Sequence, residues 1–362
     1  MKIGLLKETN DARVAIIPDF VKQLTKDNEV LVEPDAGRSS FFYDKDFEEA
    51  GAKVADRKTI LGSVDLLITI HPIQKEELAL MQKGCIYVSS FQPFADDTIA
   101  ATLASYGITA LSLDMIPRIT IAQAMDVLSS MASIAGYKAV LKAAEYLPRY
   151  FPMLTTAAGS IPPSKVLILG AGVAGLQAIA TAKRLGAMVE AFDTRLAAKE
   201  EVQSLGAKFV EVEGAQDDKS AGGYAVEQTE EYKQKQKELI HERISKADVV
   251  ITTAQLRGKR APLLITKEMV EDMRAGSVIV DLAASSGGNC ELTKNNEIVI
   301  HNNITIIGNS ELAAEMPMHA SQLYSKNTQN FMNIFVKEGK AAFDFENPII
   351  KSSCIVYEGE VK

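Results

Sequence analysis

Gly170, Gly172 and Gly175 stand in the spacing G-x-G-x-x-G, directly after the apolar run 166–169 and directly before the amphipathic stretch 176–185. A glycine in the first place permits a tight turn, and one in the second lets the backbone approach a pyrophosphate. One in the third lets a helix pack closely on its strand, while the first N–H groups of that helix face phosphate oxygens. The chemistry comes from backbone, so the motif carries weight only with its context of strand, helix and acid. Asp193 supplies the acid at the end of the apolar run 188–192. A carboxylate there accepts hydrogen bonds from the adenosine ribose hydroxyls and repels a 2′-phosphate, which favours NAD over NADP. Two alternatives stay open: Arg195 can accommodate the extra phosphate, and Asp193 can instead cap the next helix. Thr253 and Ala254 follow the run 249–252, where a doubly wound sheet places cofactor-facing loops, and they equally suit a plain strand-end turn.

Those loops need a scaffold. Short apolar runs alternate with helix-like stretches from the start, at 2–6, 30–32, 66–70 and 86–89, with an amphipathic segment such as 19–26 between them. The second half repeats the pattern at 166–169, 188–192, 208–212, 249–252, 277–282 and 304–307. Such alternation is the signature of parallel sheets covered by helices. The predicted fold is therefore α/β, two Rossmann-like doubly wound parallel-sheet domains joined by long helices. Residues 122–147 are rich in Ala, Met, Leu and Lys, with only Gly136 against a helix and Pro148 to end it, and read as a long connecting helix. Residues 313–340 read as a second long helix that returns the chain to the first domain. The expected division is an N-terminal Rossmann-like domain over 1–130, completed by 315–362, and a nucleotide-binding domain over 131–314. The Gly-, Gln-, Glu- and Lys-rich stretch 217–237 lacks apolar periodicity and is expected to be an exposed, mobile loop running into a helix.

Composition narrows the function. At 362 residues the chain exceeds the size at which a single core usually keeps growing, which agrees with two domains. The net charge of -8 argues against nucleic acid as a partner, since that affinity comes mostly from clustered Lys and Arg displacing counterions. Cys85, Cys290 and Cys354 form no CxxC pair and have no neighbouring His at ligand spacing, so neither a disulfide framework nor a metal site is expected. The first apolar run is too short for a signal peptide, and no unbroken apolar stretch of about 18 residues occurs. A cytoplasmic protein without direct membrane insertion is expected.

Several stretches are more specific than the glycine loop. They are Met115-Ile-Pro-Arg118-Ile-Thr-Ile-Ala-Gln123-Ala-Met-Asp126-Val-Leu-Ser129-Ser, Gly159-Ser-Ile-Pro-Pro-Ser-Lys, Gly175-Leu-Gln-Ala-Ile-Ala-Thr-Ala-Lys-Arg-Leu-Gly186, Ala221-Gly-Gly-Tyr224-Ala and Gly276-Ser-Val-Ile-Val-Asp281-Leu-Ala. Over nearly the whole chain the sequence resembles the NAD(H)-binding component, domain I of the alpha subunit, of proton-translocating NAD(P) transhydrogenase. It is more distantly similar to alanine dehydrogenase, through domain order and the Arg13-Val-Ala-Ile segment. The resemblance implies a Re/Si-specific transhydrogenase component in which hydride passes directly between NADH and NADP(H) held on a partner domain, coupled to proton movement by a membrane-spanning component. It further implies a homodimer, peripheral at the inner face of the cytoplasmic membrane through its partners. Residue by residue, it puts Arg118, Ile119, Thr120, Ile121, Gln123, Asp126 and Ser129 in the loop and helix start around the nicotinamide and its ribose. It puts Val173 at the phosphate turn and Asp193, Thr194 and Arg195 at the adenosine ribose. Gly223 and Tyr224 fall on a mobile lid, and Gln236, Thr253, Ala254 and Gln255 beside the cofactor. On a helix, Gln123 and Asp126 at i, i+3 would converge on one ligand; the competing expectation is a surface ion pair of Arg118 with Asp126 near a helix N-terminus.

The chain also departs from its distant relatives. Alanine dehydrogenases place a lysine in the strand matching 66–72 and a histidine near 89–91, to hold the substrate carboxylate and exchange protons. Here those stretches read Leu-Leu-Ile-Thr69-Ile-His71-Pro and Ser89-Ser90-Phe91. Oxidative deamination needs a proton acceptor near the working pH, whereas direct hydride transfer needs only positioning. A lone strand-end histidine such as His71 reads as structural. The loop between Glu8 and Arg13 is shorter than usual, and Ile121 and Gly308-Asn-Ser differ from common transhydrogenases. Three classes of function stay open on the sequence: a component of a membrane-coupled transhydrogenase, a free alanine (amino-acid) dehydrogenase, and an NAD-sensing module without turnover.

Overall fold

A computed structural model describes residues 1–212, 230–255 and 258–362. The chain forms two compact units, Met1–Met131 with Ala313–Lys362, and Ala132–Leu312. Each is built on a mixed sheet dominated by parallel strands.

The first unit has eight strands in the order Glu360–Val361, Cys354–Tyr357, Thr109–Ser112, Ile86–Ser89, Leu66–Ile68, Lys2–Leu5, Glu29–Val32, Lys53–Val54. The six N-terminal strands are mutually parallel, and the two C-terminal ones add antiparallel at one edge. Both faces are covered. Leu66 and Ile68 face a cluster with Phe331 and Phe335, while Leu67 between them faces Ile60 and Leu61 on the other side. Burial on both faces is why these strands read as unbroken apolar runs. The short strands Lys53–Val54, Thr109–Ser112 and Glu360–Val361 had no such run to announce them, whereas Cys354–Tyr357 is an apolar run that the sequence reading passed over.

The long C-terminal helix runs over Pro317–Phe335, shorter than the expected 313–340, with Pro317 in its first turn. Its inward face carries Tyr324, Phe331, Met332 and Phe335, all buried. Two of its hydroxyls also accept from the N-terminal segment, Ser321 Oγ from the Val14 N–H (2.9 Å) and Ser325 Oγ from the Ile17 N–H (3.1 Å). At about 2 kcal/mol for each large apolar side chain, the unit depends on this helix. A fragment 1–315 is expected to expose the N-terminal unit to limited proteolysis and lower its unfolding midpoint in urea. A fragment 1–315 as resistant as the full chain overturns that dependence.

The second unit has seven strands in the order Lys208–Phe209, Met188–Phe192, Lys165–Leu169, Val249–Thr252, Val278–Asp281, Ile304–Ile307, Ile298–His301, the last antiparallel. Chain order reverses between Lys165–Leu169 and Val249–Thr252, and ligands of doubly wound sheets bind beyond the carboxyl ends of the strands at such a switch point. The expected strand 208–212 is only two residues long. The expected helix 122–147 begins at Val127 and ends at Tyr146, because Thr120–Met125 form a 3-10 turn and Asp126 is extended. Of the stretch 217–237, residues 217–229 lie outside the described residues, and the helix Glu230–Ile244 occupies its end. Among the described residues no helix is long and apolar enough to cross a membrane.

Candidate functional site

The strand Lys165–Leu169 runs into Gly170, whose φ of +103° only glycine adopts without strain. Gly170 is also enclosed: a Cβ there would lie 2.5 Å from Thr253 Oγ1. Its N–H donates to the Phe192 carbonyl (2.8 Å), and its own carbonyl accepts from Thr253 Oγ1 (3.1 Å). Gly175 sits in the first turn of the helix Val173–Arg184, where a Cβ would stand 1.9 Å from the Gly170 carbonyl oxygen. Gly136, on the helix Val127–Tyr146, lets that helix approach the same turn, since a Cβ there would lie 2.1 Å from the Ala174 carbonyl oxygen. Gly172 is the opposite case: among the described residues, its chain neighbours aside, no atom lies within 4 Å of where its Cβ would be.

Gly172 is the N-cap of that helix, and no side chain caps it. The space beside this helix start is open, the arrangement in which the first N–H groups of a helix can receive a phosphate. Val173 at the mouth of the helix is 44% exposed. A cradle lined by backbone donors, with a gap where any side chain would stand, fits a dinucleotide pyrophosphate.

Asp193 lies beside the loop, and the structure adds a role that spacing did not reveal. Its Oδ2 accepts from the Ala171 N–H (2.7 Å) and so anchors the glycine loop. Oδ1 accepts from the N–H and Nε of Arg195 (2.8 and 2.9 Å), and Oδ2 also accepts from the Arg195 guanidinium (2.9 Å). The helix-capping alternative fails, since the next helix, Ala198–Ser204, has Ala197 as its N-cap. Pairing with Asp193 offsets the Arg195 charge, which weakens the case for Arg195 as a 2′-phosphate ligand. Thr194 is half-buried beside them.

Across the switch point, the Thr253 N–H donates to the Leu169 carbonyl (2.9 Å). Ala254 follows it, and exposed Gln255 donates from Nε2 to the Leu282 carbonyl (2.8 Å). Gln236 is half-buried on the helix Glu230–Ile244. Gly223 and Tyr224 lie outside the described residues.

Sequence reading missed Asp281 and Asn289. Asp281 is buried at the end of its strand and accepts from Thr252 Oγ1, Thr293 Oγ1 and the N–H groups of Ala283, Asn289 and Cys290. Asn289 in turn holds the backbone of Ala254. The available signal was Gly287-Gly288 before Asn289, a turn pair whose φ values of +100° and +77° send the chain back on itself.

In the first unit, Arg118, Ile119, Thr120, Ile121 and Gln123 are all exposed, Ile121 by 66%. Buried Ala122 anchors the turn from below, and the Ala124 carbonyl accepts from the side-chain amides of Asn327 and Asn330 (2.9 Å each). The expected shared helix face of Gln123 and Asp126 does not exist. Gln123 is in a 3-10 turn, and Asp126 is extended at the break before the helix. The Asp126 carboxylate accepts from the N–H and hydroxyl of Ser129 (2.9 and 2.6 Å), so it caps the helix Val127–Tyr146. Spacing treated the stretch as one helix, but the chain breaks at Asp126, whose carboxylate takes the Ser129 N–H and starts a new helix.

His71 is committed elsewhere in the same unit. Its Nε2 bonds to Asp11 Oδ2 (2.8 Å), an oxygen that also accepts from the Arg13 guanidinium, whose Nη2 lies 3.4 Å from His71 Nε2. The hydrogen bond to Asp11 raises the His71 pKa against the opposing effect of burial. Burial pushes the neighbouring Glu8 carboxyl up to about 6, although the Ile70 and His71 N–H groups that it accepts pull the other way.

Two family models divide the chain between them. The model described as "Alanine dehydrogenase/PNT, N-terminal domain" matches residues 4–135, and "Alanine dehydrogenase/PNT, C-terminal domain" matches residues 139–362. The chain belongs to the alanine dehydrogenase/PNT family. Within it, the similarity leans to one side. The NAD(P) transhydrogenase subunit alpha of Haemophilus influenzae is 43% identical over 99% of this chain and 71% of its own length. The crystal structure of transhydrogenase from Sinorhizobium meliloti superposes with a TM-score of 0.92 at 38% identity, covering 100% of both chains. An alanine dehydrogenase of Staphylococcus epidermidis is 29% identical over 84% of this chain and 77% of its own length. The family places this chain among NAD(P)-dependent oxidoreductases with a nucleotide-binding Rossmann-like fold.

Proposed function

We propose that the chain is the NAD(H)-binding component of a proton-translocating transhydrogenase, a Re/Si-specific enzyme that passes hydride to NADP+ held on a partner domain. The observation that carries this reading is the uncapped helix N-terminus at Gly172, open to a ligand and flanked by Asp193. Its alpha-subunit relatives support the transhydrogenase assignment, and the pairing of Arg195 with Asp193 favours NAD(H) over NADP(H). The partners are an NADP(H)-binding domain and a membrane-spanning component, which would hold this chain, as a homodimer, at the inner face of the cytoplasmic membrane. Bound NADH supplies the hydride. The glycine loop and the amides of Val173 to Gly175 hold the pyrophosphate, and Asp193 with Thr194 the adenosine ribose. Val173 flanks the phosphates, and Gln236 and the Thr253–Gln255 turn line the cofactor. Exposed Arg118, Ile119, Thr120, Ile121 and Gln123 present the loop that orients the nicotinamide, with Asp126 and Ser129 fixing its base. No proton transfer is asked of them, because the reacting carbons need only be brought within about 3–3.5 Å.

The test pairs binding with turnover. In a complex reconstituted with the NADP(H)-binding and membrane components, the parent should bind NADH more tightly than NADPH and transfer hydride to an NADP analogue. Gln123→Ala should keep NADH affinity within a few-fold while slowing transfer by a factor on the order of ten to a hundred. Arg118 and Asp126 variants should lose both. Equal affinity for NADH and NADPH overturns the cofactor assignment, and a Gln123→Ala protein at the parental rate removes this loop from the reaction.

A further inference from the structure

Asn289 is fully buried, and its side-chain amide is spent on backbone. Nδ2 donates to the carbonyls of Ala254 (2.9 Å) and Pro262 (2.8 Å), and Oδ1 accepts from the Ala254 N–H (3.0 Å). One side chain thus takes both polar groups of one residue, as a neighbouring strand would. Asn289 is itself held, its N–H donating to Asp281 Oδ2 (2.8 Å) and its carbonyl accepting from the N–H groups of Leu264 and Ile265. Asp281 reaches back to Thr252 Oγ1 (2.9 Å), the last residue of the strand before the turn. Gly287 and Gly288, both at positive φ, allow the close return that aims the amide inward.

We infer that Asn289 is a positioning residue for the nicotinamide half of the bound dinucleotide, an inference that rests on the NAD(H)-binding reading above. The two halves of a doubly wound sheet each take one nucleotide of a dinucleotide, across the switch point. Lys165–Leu169 and Met188–Phe192 carry the glycine loop and Asp193, the adenosine side. Val249–Thr252 opens the other half, and its first turn is the one that Asn289 holds. The Ala254 N is 3.4 Å from where a Cβ on Gly170 would be, so the turn forms the wall directly opposite the glycine loop. Thr253 does not need Asn289: its N–H is bonded to Leu169 and its hydroxyl to the Gly170 carbonyl. Loss of the amide should therefore release the turn from Ala254 onward and leave the adenosine side in place.

The split can be read by calorimetric titration of the full chain with NADH and with ADP, which carries the adenosine half alone. Asn289→Ala is expected to raise the NADH dissociation constant about tenfold or more while leaving that for ADP within about threefold. Asn289→Ser, which keeps a polar turn-forming side chain, carries the test if alanine does not fold, with the same split expected. Equal weakening of both ligands would reduce Asn289 to general support of the fold, and parental affinity for both would remove it from binding; either overturns the inference. A parent chain that binds neither ligand overturns the NAD(H) reading and this inference with it.

Discussion

Replacing Gly175 with alanine is expected to raise the NADH dissociation constant a hundredfold or more, a loss of about 2.8 kcal/mol. The added Cβ would stand 1.9 Å from the Gly170 carbonyl oxygen, well inside contact distance. That oxygen is backbone, so it cannot swing aside as a flexible side chain would. Either the helix Val173–Arg184 lifts from the strand Lys165–Leu169, or the Gly170 turn shifts, and both move the N–H groups away from the phosphates. Gly136 closes the obvious route of escape, because it presses the neighbouring helix on the carbonyl of Ala174 in the same turn. Thermal stability should fall as well. Gly172→Ala is the control, since among the described residues its Cβ meets no atom beyond its chain neighbours, and its φ of −75° suits any residue. That variant should melt like the parent yet bind NADH less tightly, because the space it fills is the ligand's. NADH titration and circular-dichroism melts check both, and parental NADH affinity in Gly175→Ala would sink the glycine loop as the nucleotide site.

Asp11→Ala is expected to cost about 3 kcal/mol of unfolding free energy at pH 6. The Asp11 and Arg13 side chains are 3% and 7% exposed, so removing the carboxylate takes from a buried guanidinium the ion pair and the hydrogen bonds that Asp11 supplies. Burial alone would raise the Asp11 carboxyl, but hydrogen bonds from His71 and Arg13 and the Arg13 charge outweigh it and hold it far below the usual range. The pH dependence follows from the two shifts. His71 has a raised folded pKa, so its contribution is complete below its unfolded value of about 6.5 and fades as pH rises through the raised value. Asp11 has a depressed folded pKa, so its contribution is complete above its unfolded value of about 3.9 and fades as pH falls towards the depressed one. The gap between parent and variant should be widest between about pH 4 and 6.5, narrower at pH 9 and narrower again near pH 2. Urea unfolding at four pH values measures it, and a gap as wide at pH 9 as at pH 6 would mean that His71 takes no part in the pair.

The glycine loop was legible because everything that makes it is local. Three glycines, a buried strand before them and an amphipathic helix after them lie within about twenty residues, and each glycine is needed for a reason that acts over one turn of chain. The parallel strands showed for a similar reason, since burial on both faces leaves a continuous apolar run. Strands of two residues, such as Lys53–Val54 and Lys208–Phe209, leave too few positions for any period to appear.

The site's supports were not legible. Asp126 looked like a ligand on a helix face because its spacing from Gln123 is right, and only the bonds to Ser129 show it ending one element and starting another. Asp193 was chosen for a ribose, but its bond to the Ala171 amide, which holds the glycine loop, depends on two strand ends meeting side by side.

By itself, then, the sequence determined the two-sheet α/β class, the glycine loop between strand and helix and the carboxylate beside it, because each follows from residue types a few positions apart. The tertiary structure alone decided which distant segments serve that loop. Asn289 reaches Ala254 across 35 residues, and Ser321 reaches Val14 across 307. The apolar stripe of Pro317–Phe335 states that one helix face is buried, but not against which sheet. That choice is made by packing shape and by buried hydroxyls meeting the particular backbone groups that would otherwise go unpaired, neither of which leaves a period in the chain.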